Sequence, residues 1–123
     1  MISGRVSANR EAIISVIVHN PEGEAHEVEA IIDTGFDGSL SLPPDAIANL
    51  KLPWRRRGQA LLADGSTTVF DIYDVVLDWD GKLRRVAVDE ANTAPLVGME
   101  LLNGFALRLE VRPGGAVTIQ QLS

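Results

Sequence analysis

The residues with the most chemistry to offer lie in the run Ile31-Ile32-Asp33-Thr34-Gly35. Asp33 ends an apolar stretch that reads as a buried strand. A carboxylate there has to be hydrogen-bonded, paired or functional, because an unpaired charge taken out of water is very costly. Two residues on, Gly35 permits a tight turn and close backbone approach. One carboxylate alone makes a poor hydrolase without a metal or a base beside it. The chain has no cysteine, and His19 and His26 flank a turn without metal-ligand spacing, so they read as surface residues. Two carboxylates about 3 Å apart behave differently: they cannot both ionise, so they share one proton and offer an acid and a base together. One takes a proton from water while the other protonates or polarises a carbonyl. One chain supplies one Asp33, and a symmetric dimer brings two of them together across its twofold axis.

The elements that must position Asp33 are mostly strands. Ile2 to Ser7 reads as a first strand, ended by Ala8-Asn9-Arg10. From Ala12 to His19, Ile14, Val16 and Val18 alternate with Ser15, Ile17 and His19, which makes one face wholly apolar. Asn20-Pro21-Glu22-Gly23 is a strong turn signal. His26 to Asp33 then returns with Val28, Ala30 and Ile32 on one face, a hairpin that runs straight into Asp-Thr-Gly. After a short apolar piece, Leu40 to Leu42, Pro43-Pro44 and Asp45 open a helix through Leu50. Proline is tolerated in a first turn and an acid there suits the helix dipole. Leu52-Pro53 ends it.

The second half is again extended. Gln59 to Ala63 leads into Asp64-Gly65-Ser66, and Thr67 to Trp79 is rich in β-branched and aromatic residues. Asp80-Gly81 is a dipeptide favoured in two-residue hairpins. Asp78-Trp79-Asp80-Gly81 resembles the opening of a calcium loop, but the ligands that should follow are missing, so a hairpin turn is the reading. Lys82 to Asp89 returns, with Val86 and Val88 sharing a face. After a loop from Ala91 to Ala94, Pro95-Leu96-Val97-Gly98 echoes the earlier apolar run into glycine. Met99 to Asn103 reads as one helical turn stopped by Gly104. Phe105, Leu107, Leu109 and Val111 then alternate with more polar neighbours, Pro113-Gly114-Gly115 turns the chain, and Ala116 to Leu122 closes it. Trp54 and Trp79 read as packing residues. Strands with turns at short spacing point to an all-β, barrel-like domain with one or two short helices.

The chain has 123 residues, which suits a single domain spanning 1–123 with enough core to need no covalent staple. The absence of cysteine excludes disulfides, thiolate metal sites and a cysteine nucleophile, and fits a reducing cytoplasm. A net charge of −6 argues against nucleic acid as a partner, since phosphate contacts need a basic face. The one basic cluster, Arg55-Arg56-Arg57, reads as a solvated strand or loop. No apolar run approaches the roughly 20 residues of a membrane span, and the N-terminus lacks the layout of a signal peptide. A soluble, cytoplasmic protein that does not engage membranes is the expectation.

Taken together, Ile31-Ile32-Asp33-Thr34-Gly35, then Ser39-Leu40-Ser41-Leu42-Pro43, and later Leu96-Val97-Gly98-Met99-Glu100-Leu101-Leu102 resemble the retropepsin-like aspartic proteases, most closely the small prokaryotic clan AA type. The likeness runs roughly from Ala12 to Val111. It implies a closed, barrel-like retropepsin fold, a homodimer, and an aspartic endopeptidase that acts on a peptide or protein substrate without metal or other cofactor. Asp33 would be the catalytic aspartate, Thr34 would brace the two loops across the dimer, and Gly35 would offer an N–H to the carboxylate. Asp37 would bind substrate main chain. Asp64, Gly65 and Ser66 would tip the flap that closes over a bound peptide. Leu96-Val97-Gly98 would pack behind the Asp33 loop, and the terminal hairpin is a candidate for the dimer sheet. The chain departs from the viral pattern at Phe36, where a small residue is usual, and in having one glycine, Gly65, at the flap tip. Both departures favour the alternative, a non-catalytic peptide-binding or dimerisation module on the same fold.

Overall fold

A computed structural model describes residues 1–123. Ten strands and two short helices follow one another as β1 (Ile2–Val6), β2 (Ala12–His19), β3 (Ala25–Ile32), β4 (Leu40–Leu42), α1 (Pro44–Leu50), β5 (Trp54–Leu61), β6 (Thr67–Trp79), β7 (Lys82–Glu90), β8 (Leu96–Val97), α2 (Met99–Leu102), β9 (Phe105–Leu109) and β10 (Ala116–Gln121). All ten strands join one sheet in the order β5-β6-β7-β4-β8-β3-β2-β1-β10-β9, and β6 also pairs with β2. That last pairing, Val18 opposite Leu77, curls the middle of the sheet back on itself. The expected barrel is therefore a partial ring, because β5 and β9 remain free edges on its flanks.

The alternations in the sequence decide which faces are buried. Ile14, Val16 and Val18 of β2, Val86 and Val88 of β7, and Leu40 and Leu42 of β4 all point into one core. Trp79 lies at its centre, 1% exposed, with Phe105 set edge-on at 5.9 Å between ring centroids. Aromatic pairs in that geometry add to the area they bury. Trp54 does not share this role. It opens the edge strand β5 and is 58% exposed, with its indole N–H donated to Asp71.

Turn chemistry sets the hairpin boundaries. Asp80 and Gly81 both have positive φ, 53° and 80°, the backbone of a two-residue turn whose twist matches its strands, so Trp79 pairs directly with Lys82. Lys51, in the left-handed region, closes α1 just before Leu52-Pro53. β9 stops sooner than its alternation suggests. Leu109 pairs with Val117, after which the chain bends through Arg112 and Gly115, leaving Val111 exposed. Neither helix is long and apolar enough to cross a membrane.

Candidate active site

Asp33 follows the last residue of β3. That strand is flanked by β2 and, in parallel, by the two-residue β8, with Ile31 opposite Leu96 and Ile32 opposite Val97. The Asp33 N–H continues this ladder by donating to the Val97 carbonyl at 2.9 Å. The chain then turns. The Phe36 N–H donates back to the Asp33 carbonyl at 3.1 Å, and the Gly35 N–H donates to Asp33 Oδ1 at 2.9 Å. Gly35 keeps an ordinary negative φ, and a Cβ there would meet only Asp33 Oδ1, at 3.2 Å.

The second apolar segment holds this turn from behind. Three successive N–H groups, those of Gly98, Met99 and Glu100, donate to the carbonyls of Ser39, Phe36 and Gly38 at 3.0, 2.8 and 3.1 Å. The first donors of α2 would otherwise lack partners, and the Asp33 loop supplies them. This is the physical content of the sequence echo: the two apolar runs are adjacent strands, and each satisfies the other's loop. Phe36 fits because its neighbours have no side chains. Cβ atoms on Gly38 and Gly98 would fall 2.7 and 2.6 Å from its ring.

Asp33, Gly35, Phe36 and Asp37 line one side of an open groove of about 1240 Å³. The arms of the β5–β6 hairpin form the opposite side through residues such as Gln59, Leu61, Val69 and Phe70. Asp33 and Phe36 are half-buried, whereas Thr34, Gly35 and Asp37 are exposed, and the Thr34 hydroxyl has no partner within the chain. Asp64, Gly65 and Ser66 sit at the far tip of the hairpin, exposed and outside the lining of the groove. The site residues named from sequence therefore form two groups, the Asp33 loop and the hairpin tip, with the hairpin arms between them.

The tip is braced. Asp64 Oδ1 accepts from the Ser66 N–H at 2.9 Å and from its hydroxyl at 2.5 Å, and Gly65 takes φ 86°. The Ser66 hydroxyl and then the Ser66 N–H hold the Asp64 carboxyl below the usual aspartate range. The brace is thus complete above the ordinary aspartate range and is lost as pH falls through the depressed value. Asp64→Ala is expected to speed amide exchange at Gly65 and Ser66 several-fold with little change in melting temperature, because nothing buried depends on the tip. Hydrogen exchange resolved by residue checks this; unchanged tip rates would show the brace to be idle.

Sequence reasoning missed a further acid. Asp89, next to last in β7, lines the groove beside Ser41, its register partner in the parallel β4–β7 pairing. Burial pushes its carboxyl up, Asp37 and Glu100 add to the rise, and Arg56 opposes it. Folding therefore favours the protonated form. The stability this gives is complete below the unfolded aspartate range and is lost as pH rises through the raised value. Asp89→Asn is expected to raise the melting temperature at pH 7 by about 1–3 °C, a modest gain because the group is only half-buried, and to change little near pH 3. Thermal melts at the two pH values test this, and a gain of equal size at both would remove the charge from the explanation. The one sequence signal for Asp89 is its parity. It alternates with Val86 and Val88, hence faces away from the core, but which groove it faces depends on strand pairing.

No model of a known protein family matches the chain, and no curated protein does. Among solved structures, the chain is similar to the crystal structure of a retropepsin-like aspartic protease from Rickettsia conorii, with a TM-score of 0.63 and 14% sequence identity, over 99% of this chain and 91% of that one. With the two apolar-glycine segments paired and the arms of the long hairpin lining the same groove as Asp33, the conclusion about architecture is direct: this chain has the retropepsin-like fold of the aspartic proteases.

Proposed function

We propose that the protein is an aspartic endopeptidase that acts as a homodimer, with the catalytic pair made of Asp33 from each protomer. The observation that carries this reading is the setting of Asp33. Its carboxylate follows the end of β3, is oriented by the Gly35 N–H, and lines an open groove of about 1240 Å³ whose other lining includes the arms of the β5–β6 hairpin. The solved neighbour from Rickettsia conorii is described as an aspartic protease, which supports the same chemistry here. Across a twofold axis the two carboxylates would share one proton and hold a water between them. The ionised member takes a proton from that water as its oxygen attacks the peptide carbonyl carbon. The protonated member gives its proton to the carbonyl oxygen. Collapse of the tetrahedral species then breaks the C–N bond, with a proton delivered to the leaving amine. Thr34, exposed and without an in-chain partner, would brace the paired loops, and Asp37 would hold substrate main chain. The hairpin tip would close over the peptide and exclude water.

The test is incubation of the purified protein with a diverse peptide mixture from acid to neutral pH, together with mass measurement in solution over a range of protein concentrations. Cleavage that rises with the dimer fraction supports the proposal, and a strict monomer, with one acid per site, overturns it. The braced, single-glycine tip favours a second reading, a groove that holds a peptide without cutting it. Saturable peptide binding by a dimer that cleaves nothing would establish that instead.

A further inference from the structure

The charged side chains lining the groove are badly out of balance. Asp33, Asp37, Asp89 and Glu90 line it, and none takes part in an ion pair. The one basic side chain in the lining, Arg57, is already occupied by Asp71 at 3.5 Å. Arg56 offsets part of the charge around Asp89 but makes no ion pair. A second, independent observation lies at the same place. Ser41, only 3% exposed and in register with Asp89, is among the residues lining the groove, and its buried hydroxyl has no hydrogen-bond partner. A buried hydroxyl left without a partner is costly, and a ligand donor would satisfy it. Beside these groups stands an aromatic surface. The Phe36 ring and Asp89 Oδ2 flank the same position, 2.7 and 3.3 Å from where a Cβ on Gly38 would be.

We propose that this part of the groove, built from Asp37, Asp89, Glu90 and Ser41 with Phe36 alongside, is a subsite for a lysine or arginine side chain of a bound peptide. The proposal rests on the reading of the groove as a peptide site and adds the class of peptide it selects. A cation from the ligand answers each feature at once. It relieves the repulsion among the carboxylates, gives the Ser41 hydroxyl an N–H donor, and lays its aliphatic stem or guanidinium plane on the Phe36 ring. A bare metal ion fits less well, because no three acidic or histidine side chains converge closely enough to hold one.

The experiment separates this proposal from the one it rests on. Fluorescent peptides are made in which lysine, arginine, norleucine or glutamate is stepped through an otherwise neutral sequence. Binding is measured by anisotropy on the full-length Asp33→Asn protein, so that turnover does not intervene. At one position lysine or arginine is expected to bind about tenfold tighter than norleucine, with glutamate weakest. In Asp33→Asn/Asp89→Asn the ratio of lysine to norleucine affinity is expected to fall towards one, and high salt should erode it in the parent. Binding with no charge preference, or a preference that survives the Asp89 change, overturns the subsite and leaves the peptide groove standing. No binding by any peptide overturns both.

Discussion

Asp33→Asn is expected to abolish peptide cleavage, with a loss of about 10³–10⁴-fold or more, and to leave the fold intact. The size follows from what the change removes. In a homodimer both acids are replaced at once, so general base and general acid disappear together, and each such role supplies about 10²–10⁴ in rate. The fold is spared because asparagine keeps the shape of aspartate and its Oδ1 still accepts the Gly35 N–H, while the backbone bond from residue 33 to the Val97 carbonyl is untouched. Circular dichroism and a thermal melt should match the parent. A mixing experiment makes the prediction sharper. When parent and variant are refolded together in equal amounts, random pairing leaves about one quarter of the dimers with two acids. Activity per total protein should then fall to about one quarter of the parent value if the site needs both protomers, and to about one half if each chain carries a complete site. A value near one half overturns the site shared between protomers, and turnover retained in the pure variant removes Asp33 from the mechanism proposed here.

Local signals make much of this architecture legible in the sequence itself. The β2–β3 hairpin follows from an apolar alternation broken by Asn20-Pro21, and the β6–β7 hairpin from Asp80-Gly81, a dipeptide that tolerates positive φ at both positions. Ile31-Ile32-Asp33-Thr34-Gly35 and Leu96-Val97-Gly98 stand out because in each an apolar pair runs into glycine, and the two apolar pairs lie on neighbouring strands. What escaped the sequence is non-local. The position of Asp89 beside Ser41 depends on a parallel pairing between strands far apart in the chain, which no short window reveals. Trp54 looked like core because aromatic residues favour strands, but β5 is a free edge whose face no layer covers, so the ring stays in water. Phe36 stands where a small residue is usual in the viral enzymes, and its ring lines the groove. Its bulk is accommodated by two glycines, Gly38 and Gly98, which leave room for the ring. The chain does turn at Asp64-Gly65-Ser66, but the arms of that hairpin rather than its tip line the groove.

Gly98 carries the largest structural prediction. Its backbone is extended, with φ −109° and ψ −178°, so any residue could adopt its torsions, and the constraint is space alone. A Cβ there would run into the Gly38 carbonyl oxygen, and would lie 2.7 Å from the Phe36 carbonyl oxygen and 2.6 Å from the Phe36 ring. The two carbonyls are main chain, held by the N–H groups of Glu100 and Met99, and cannot swing aside. Gly98→Ala must therefore push the Asp33 loop off α2, lengthening the bonds that hold it. A cost of about 2–4 kcal/mol is expected, the range for overpacking combined with lost buried hydrogen bonds. Cleavage should fall by about 10²-fold in whatever protein remains folded, because an Asp33 displaced by about 1 Å no longer meets its twin. Gly104→Ala is the control. Gly104 takes φ 89° but has nothing within 4 Å of a Cβ, so its cost should stay near 1 kcal/mol with activity preserved. Phe36→Ala in the Gly98→Ala background separates the two obstacles. Removing the ring clears one contact and leaves both carbonyls, so stability should not return. Recovery in the double variant would mean that the aromatic ring, not the main chain of the Asp33 loop, demands glycine at this position, and that the two apolar-glycine segments are less tightly locked than their hydrogen bonds imply.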